Sequence, residues 1–168
     1  YALATRLSYF LWESMPDEQL LQLAANDQLS DPATLAAEVR RMIADPKSAS
    51  FVRNFSGQWL GTRRLTDVAP DPQIFPGWDE SLRTAMADET ERFFAEILSQ
   101  NLPVQTFLDS DFTFLNQRLA RHYGIEGVSG SEMQRVSLPA DSPRGGVLTQ
   151  ASVLTVGSQP TRSSPVFR

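Results

Sequence analysis

Apolar residues recur at helical spacing along most of the chain, and polar residues and prolines separate the helices that this spacing predicts. The first predicted helix covers residues 2–12 and is expected to bury one face, made of Leu3, Leu7, Phe10 and Leu11. Three more helices are predicted to begin at Ser14–Pro16, Asp31–Pro32 and Asp45–Pro46. A polar cap followed by proline satisfies free backbone amides and presets φ, so each of these positions favours the start of a helix.

A long segment without periodicity follows between Gly61 and Gly77. Its three prolines predict a surface loop, for which Phe75 and Trp78 would be aromatic anchors. The strongest helical pattern comes next, in residues 78–101, with an inward face made of Leu82, Met86, Phe93 and Ile97. The same pattern predicts a solvent-exposed face that carries three carboxylates, Asp88, Glu89 and Glu91. We assign no catalytic role to them.

The segment Asp109–Ile125 contains the only histidine of the chain, His122, and predicts one further helix. Its apolar residues recur every three or four positions. Asp111 would cap the start of this helix, and Gly124 would end it in a left-handed conformation.

Shorter elements flank this segment. A helix of about one turn is expected at residues 104–108, an extended edge near Arg135 in residues 133–139, and a helix after two glycines in residues 144–158. Together with the longer helices they predict an all-α fold. We expect an orthogonally packed bundle of about six or seven helices, with one long loop and one short two-stranded extended element.

The chain is predicted to contain one helical domain and part of a second. Residues 1–125 would form the first domain, and residues 126–168 would form a linker and the opening of a truncated second domain packed on the first. The first residue lies within a helical pattern, and the last residues form an extended stretch rich in proline and serine. We therefore expect the chain to be a piece of a longer protein.

Composition excludes several classes of function. Asp and Glu number 20 against 15 Lys and Arg, a net charge of −5, whereas a nucleic-acid surface needs clustered cations. No apolar stretch reaches the roughly 20 residues of a membrane span. Without cysteine the chain offers no thiolate nucleophile, zinc–thiolate site or C-x-x-C-H haem attachment. A single histidine among scattered acids gives no metal-ligand spacing, so no metal site is predicted.

The candidate catalytic residues are His122, Tyr123 and Asp111. An imidazole titrates near neutral pH and could act as a general acid or base if a carboxylate fixed its tautomer. On a straight helix, however, Asp111 and His122 would lie roughly 16 Å apart. We therefore prefer structural roles, in which Asp111 caps the helix, His122 complements its C-terminal dipole and Tyr123 packs inward.

A second group of candidates, for contact with an anion or a partner, consists of Arg144, Gly145, Gly146 and Arg162. Glycines before a helix expose backbone amides to an anion, and arginines would add positive charge. The segment lacks the G-x-x-x-x-G-K-[ST] pattern of a phosphate loop. We therefore prefer a close approach of backbones at the two glycines over an anion site.

Four blocks of the sequence carry a resemblance to known proteins: "YALATRLSYFLWESMPDEQLLQLA", "FVRNFSGQWLGTRRL", "DFTFLNQRLARHYGI" and "RGGVLTQASVLTVGSQPTRSSPVFR". They resemble the paired domains of unknown function in large exported proteins of planctomycetes and some other bacteria, many of which contain a cytochrome c-like region. The resemblance implies a nearly complete first domain and a truncated second one, in a chain whose haem is attached to another segment. It implies no catalytic residue for this sequence.

Three functions follow from these observations. The leading hypothesis is a non-catalytic helical scaffold or interaction module of an exported, haem-associated protein, whose partners are other domains of the same chain and which holds no cofactor itself. The alternative is part of an active site for a polymeric, carbohydrate-like substrate that uses His122 and nearby carboxylates. The third is a docking surface for an electron-transfer partner, where His122 or Met133 would approach a haem carried elsewhere.

Overall fold

The computed structural model describes residues 1–159 and 162–163, and most of this part of the chain is helical. Its α-helices are α1 (Ala2–Leu11), α2 (Glu18–Ala25), α3 (Pro32–Ala44), α4 (Ala49–Trp59), α5 (Glu80–Ser99), α6 (Gln117–Tyr123) and α7 (Ala151–Val156). Short 3-10 turns occupy Gln28–Ser30, Pro46–Ser48, Thr62–Asp67, Val104–Phe107 and Val147–Thr149. Four short strands are also present, β1 (Phe112–Leu115), β2 (Gln134–Ser137), β3 (Ser158–Gln159) and β4 (Arg162–Ser163). The mostly helical fold is confirmed.

The chain divides into two compact units, residues 1–55 and residues 56–168. The first unit contains α1 to α3 and most of α4, and the second contains α5 to α7 and the strands. The predicted boundary between an N-terminal domain and the opening of another, after Ile125, stays a prediction.

Aspartate caps begin several helices at or near the predicted positions. Asp31 Oδ2 accepts a hydrogen bond from the Thr34 amide at 2.8 Å, with proline in the first turn of α3. Asp17, rather than Ser14, caps α2. After Asp45 the chain first makes a 3-10 turn, so α4 begins later than predicted. Local capping chemistry thus fixes most of these boundaries.

The core of the first unit is made of Ala4, Leu11, Trp12, Leu20, Leu29 and Met42. The predicted inner face of α1 is wrong in part, because Leu3 and Phe10 are 41% and 59% exposed. The buried positions of this helix include the small residues Ala4 and Ser8. Small side chains allow close packing, and Ser8 Oγ donates to the Ser14 carbonyl at 2.5 Å.

The second unit is built around α5, whose apolar stripe is buried as predicted at Leu82, Met86, Phe93 and Ile97. Asp79 caps this helix by accepting from the Leu82 amide at 2.7 Å. The predicted solvated face is wrong at Glu89, which is buried in the same stripe. The position of this carboxylate defines the candidate site.

The predicted long loop is partly helical. Thr62–Asp67 forms a 3-10 turn that buries Leu65 against the core. Trp78 also packs on this core, as an anchor would, whereas Phe75 is exposed. The irregular stretch is therefore shorter than predicted and covers residues 68–79.

The segment that contains His122 is not one helix, and this prediction is wrong. Phe112–Leu115 forms β1, which pairs antiparallel with β2, so that Phe114 lies opposite Arg135. The helix begins only at Gln117, where Asn116 Oδ1 accepts from the Leu119 amide at 2.9 Å. Asp111 therefore precedes a strand and caps no helix. Aromatic and β-branched residues favour the extended state once a partner strand is present.

Candidate functional site

The candidate site is centred on the carboxylate of Glu89, in the middle of α5. This side chain is 1% exposed, although a lone buried carboxylate is strongly unfavourable. Thr113 Oγ1, from β1, donates to Glu89 Oε1 at 2.6 Å, and the Tyr123 hydroxyl, from α6, donates to Glu89 Oε2 at 2.5 Å. Both carboxylate oxygens are thus hydrogen-bonded to side chains that are distant in sequence.

The Tyr123 hydroxyl also connects Glu89 to α7. The backbone amide of Ala151, at the first position of α7, donates to the Tyr123 hydroxyl oxygen at 2.8 Å. The first amides of a helix lack partners within the helix, so the phenol satisfies one of them. One tyrosine therefore links the buried carboxylate of α5 to the start of α7.

Arg144 covers the outer side of this cluster. Its guanidinium carbon lies 3.6 Å from the centroid of the Tyr123 ring, a cation–π arrangement. Arg144 Nη1 also donates to the Thr149 carbonyl at 2.9 Å. The arginine that was a candidate for anion contact is thus engaged with the protein itself. We call Glu89, Thr113, Tyr123, Arg144 and the Ala151 amide the Glu89 cluster.

The surroundings change the proton affinities of this cluster. Burial raises the pKa of Glu89 to about 7, against the opposing effects of the hydrogen bonds from Thr113 and Tyr123 and of the Arg144 charge. Burial and the nearby Glu89 carboxylate raise the pKa of the Tyr123 phenol above its ordinary value. The phenol therefore stays protonated as a donor, while Glu89 can change protonation near neutral pH.

A second buried polar group lies next to this cluster. The Thr90 hydroxyl donates to Gln150 Oε1 at 2.8 Å and lies 2.6 Å from Ser152 Oγ. All three side chains are buried, and Gln150 Nε2 has no hydrogen-bond partner among the described residues. This group again joins α5 to the segment around α7.

His122 lies in the last turn of α6, on the exposed side of Tyr123. Partial loss of solvent, together with the positive charges of Arg118 and Arg144, lowers the pKa of the imidazole. Within residues 1–159 and 162–163, no carboxylate forms a hydrogen bond with this ring. The structure brings Tyr123 and Arg144 together but leaves Asp111 outside the cluster.

The two glycines make the close backbone approach that we preferred over an anion site. Gly146 has φ 74°, and a Cβ atom there would lie 2.4 Å from the Phe107 carbonyl oxygen. The Gly145 amide donates to Thr149 Oγ1 at 2.9 Å, so it is already satisfied. The Arg162 side chain lies outside the described part of the structure.

The described residues lack two kinds of feature. They contain no group of three or more His, Cys, Asp or Glu side chains that could hold a metal ion. Among the same residues, no helix combines the length and apolar character needed to cross a bilayer.

Glu89 is the residue that sequence reasoning missed, although a signal was present. It follows Met86 by three positions and precedes Phe93 by four, which places it in the apolar stripe of α5. A carboxylate at such a position is buried only if partners exist. Thr113 and Tyr123 lie 24 and 34 residues further along the chain, so α5 alone does not reveal them.

Comparison with known protein families agrees with the resemblance of the first three sequence blocks to a domain of unknown function. Residues 1–125 match the family described as PSD4, "Protein of unknown function (DUF1592)". No curated protein and no solved structure matches the chain. The match covers well over half of the chain and includes α1 to α6, so it takes in Glu89, Thr113 and Tyr123 but stops before Arg144 and Ala151. The chain therefore belongs to this family of unknown function.

Proposed function

We propose that this chain is a non-catalytic helical scaffold, an interaction module whose Glu89 cluster fastens the segment after the family domain onto that domain. The observation that carries this proposal is the double role of the Tyr123 hydroxyl, which donates to Glu89 and accepts from the Ala151 amide. A general acid or base must reach a substrate. Both oxygens of Glu89 are instead bonded to internal side chains, and its carboxylate is buried.

The interaction part of the proposal is supported by exposed apolar residues of the second unit. Val104 and Leu108 are 75% and 63% exposed, in and directly after one 3-10 turn. Apolar side chains that remain in water are common at surfaces that bind partners. The proposed partners are further domains of the same protein.

The wider setting of the proposal comes from the resemblance of the four sequence blocks. We place the module in an exported, multi-domain bacterial protein of the planctomycete type, in which a separate segment carries haem. No residue of this chain is assigned to the haem. Met133, a candidate to approach such a group, packs partly buried against the core of the second unit.

The first test measures the imidazole pKa of His122 by NMR, in this chain and in the longer protein with and without its haem-bearing segment. For a scaffold we expect the same lowered pKa in every context, because the causes lie within this chain. Paramagnetic loss of the His122 signals, or a shift that requires the haem segment, would instead support the electron-transfer docking hypothesis.

A second test addresses the hypothesis of a carbohydrate-acting enzyme. The purified chain and its His122→Gln variant are incubated with soluble polysaccharides, and the release of reducing ends is measured. We expect equal, background release from both proteins. Release by the unmodified chain that the variant lacks would overturn the non-catalytic proposal.

A further inference from the structure

The Glu89 cluster joins a buried acid to the first amide of a short helix through a single phenol. The path runs from the Ala151 amide to the Tyr123 oxygen and from the Tyr123 hydroxyl to Glu89 Oε2, over 2.8 and 2.5 Å. No other side chain intervenes between the acid and the helix. Separation of α7 from α6 therefore breaks the hydrogen bond between the Ala151 amide and the phenol that is bonded to Glu89.

The segment around α7 is the part of this arrangement with the least structure of its own. The helix has six residues and no side-chain cap, and it follows a 3-10 turn that begins after Gly146. By contrast, β1 is paired with β2, and α6 is capped by Asn116. Local opening starts where few internal bonds must break. Undocking this segment breaks the bonds of the Ala151 amide and of the Thr90–Gln150–Ser152 group, whereas α5, β1 and α6 keep their own backbone hydrogen bonds.

We propose that the Glu89–Tyr123–Ala151 path is a proton-linked latch, in which undocking of residues 144–156 from α5 and α6 releases one proton from the Glu89 carboxyl to water. Below a pH of about 7 the docked carboxyl keeps its proton, because its surroundings are dry. The undocked state hydrates the carboxyl, which then ionises as an ordinary glutamate does. The latch is tightest in acid and weakens as the pH rises.

Few charged or titratable groups act on Glu89 from the elements around it. Among the described residues they are Tyr123, from α6, and Arg144, which precedes α7. The other elements contribute the Thr113 hydroxyl from β1 and the Ala151 amide from α7, and Leu65, from the 3-10 turn Thr62–Asp67, lies in the same hydrophobic core as Met86 of α5. His122, next to Tyr123 on α6, is a further titratable group, and burial together with the charges of Arg118 and Arg144 lowers its pKa.

The pH window follows from the two proton affinities of Glu89. Its pKa is about 7 when docked, against an ordinary value of 4.5. Between these values the docked state keeps a proton that the undocked state has lost. The equilibrium constant for opening should therefore rise by up to tenfold per pH unit from pH 4.5 to about 7 and level off above that.

Hydrogen exchange of the Ala151 amide tests the latch in the chain as it stands. After correction for the intrinsic pH dependence of exchange, we expect protection of this amide to fall by up to tenfold per pH unit across the window. The amide of Phe93, within α5, serves as the reference and should keep its protection. Flat protection at Ala151, or an equal loss at Phe93, would overturn the proposal, because the opening would then be unlinked to Glu89 or global.

Three variants identify the group responsible. Glu89→Gln should abolish the pH dependence at Ala151, whereas Asp88→Asn, on the same helix, and His122→Gln should leave it unchanged. If Glu89→Gln does not fold, carbon-detected titration of the Glu89 carboxyl in the unmodified chain replaces it. The midpoint of the carboxyl titration should then coincide with the pH of about 7 at which the protection of the Ala151 amide levels off, and a clear separation of the two values would contradict the latch. The inference goes beyond the proposed function and holds or fails whether or not the module binds other domains.

Discussion

Among the described residues, each unit of the molecule buries one glutamate, and the two are stabilised in different ways. In the first unit Glu38 is 3% exposed, and Arg41 Nε donates to its Oε1 at 2.9 Å. The same guanidinium also donates to Asp17, at 2.8 and 3.1 Å. In the second unit Glu89 accepts hydrogen bonds from the Thr113 and Tyr123 hydroxyls, and the Ala151 amide and the charge of Arg144 also act on it. One glutamate is thus held by an ion pair and the other by neutral donors.

Asp17, the second partner of Arg41, and Glu89 have proton affinities that are shifted in opposite directions. In the first unit, burial alone would raise the pKa of Asp17, but the bonds from Arg41 and from the Leu20 amide together outweigh this and lower it. At Glu89 the hydroxyl donors do not outweigh burial, and the pKa is raised to about 7. A carboxylate that is hydrogen-bonded to a guanidinium therefore stays ionised. A buried carboxylate that is hydrogen-bonded to hydroxyls can still take up a proton.

The largest expected effect is the loss of the ion pair in the first unit. Arg41→Met removes the cation and leaves the buried Glu38 with only the amide of Gln19 as a partner, at 3.0 Å. We expect the free energy of unfolding of the chain to fall by about 3 kcal/mol, the lower end for a broken buried pair, since Arg41 is partly exposed. Denaturant titration measures this. The control Arg40→Met changes an exposed arginine of the same helix and should change little.

Tyr123→Phe should have the next largest effect. The substitution removes one donor from Glu89 and leaves the Ala151 amide without its partner. We expect a loss of about 2 kcal/mol in the free energy of unfolding, because unpaired buried polar groups are costly. The matched change Tyr9→Phe, at an exposed tyrosine, should be nearly neutral. Equal effects of the two substitutions would show that the Glu89 cluster contributes nothing to stability.

The contributions of Glu89 and Asp17 to the free energy of unfolding should change with pH in opposite directions. Glu89 binds its proton more tightly in the folded chain than in the unfolded one, so its contribution to stability falls as the pH rises from 4.5 to about 7. Each unit of this pKa difference corresponds to about 1.4 kcal/mol. Asp17 has a lowered pKa, so its contribution is present above its ordinary value of 3.8 and is lost as the pH falls below it.

Unfolding experiments at several pH values, on the unmodified chain and on Glu89→Gln, check this expectation. The variant should lose the decline between pH 4.5 and 7 and keep the acid limb. If both proteins decline alike above pH 4.5, Glu89 does not titrate in this range.

The smallest effect is expected for the neighbouring carboxylate of α5. Asp88→Asn changes an acid that is only partly buried and forms no hydrogen bond with a described residue. We expect the free energy of unfolding of the Asp88→Asn variant to stay within about 0.5 kcal/mol of that of the unmodified chain. A larger loss, measured by the same denaturant titration, would mean that the difference between Asp88 and Glu89 is not one of burial.

The sequence predicted part of this cluster but not its centre. Tyr123 and Arg144 were both candidates, each for a different role, and the structure brings them together within 3.6 Å. The sequence predicts that Glu89 is exposed, because acids are seldom buried without a partner and its partners lie on other elements. The error at Asp111 has a similar origin, since β1 forms only by pairing with β2.

The sequence by itself determined the features that depend on a few consecutive residues. The starts of α3 and α5 follow from Asp31 and Asp79, because a cap and the amides that it satisfies lie within one turn. The apolar stripe of α5 likewise follows from spacing alone.

Only the tertiary structure decided the features that need groups distant in the chain. The buried face of α1, the strand β1 and the burial of Glu89 each depend on which elements pack together. Spacing shows that Glu89 can face the core, but whether an acid remains there is decided by donors such as Thr113 and Tyr123. The cost of burying a carboxylate is offset only where the fold supplies those donors, and the residues adjacent to Glu89 do not specify this.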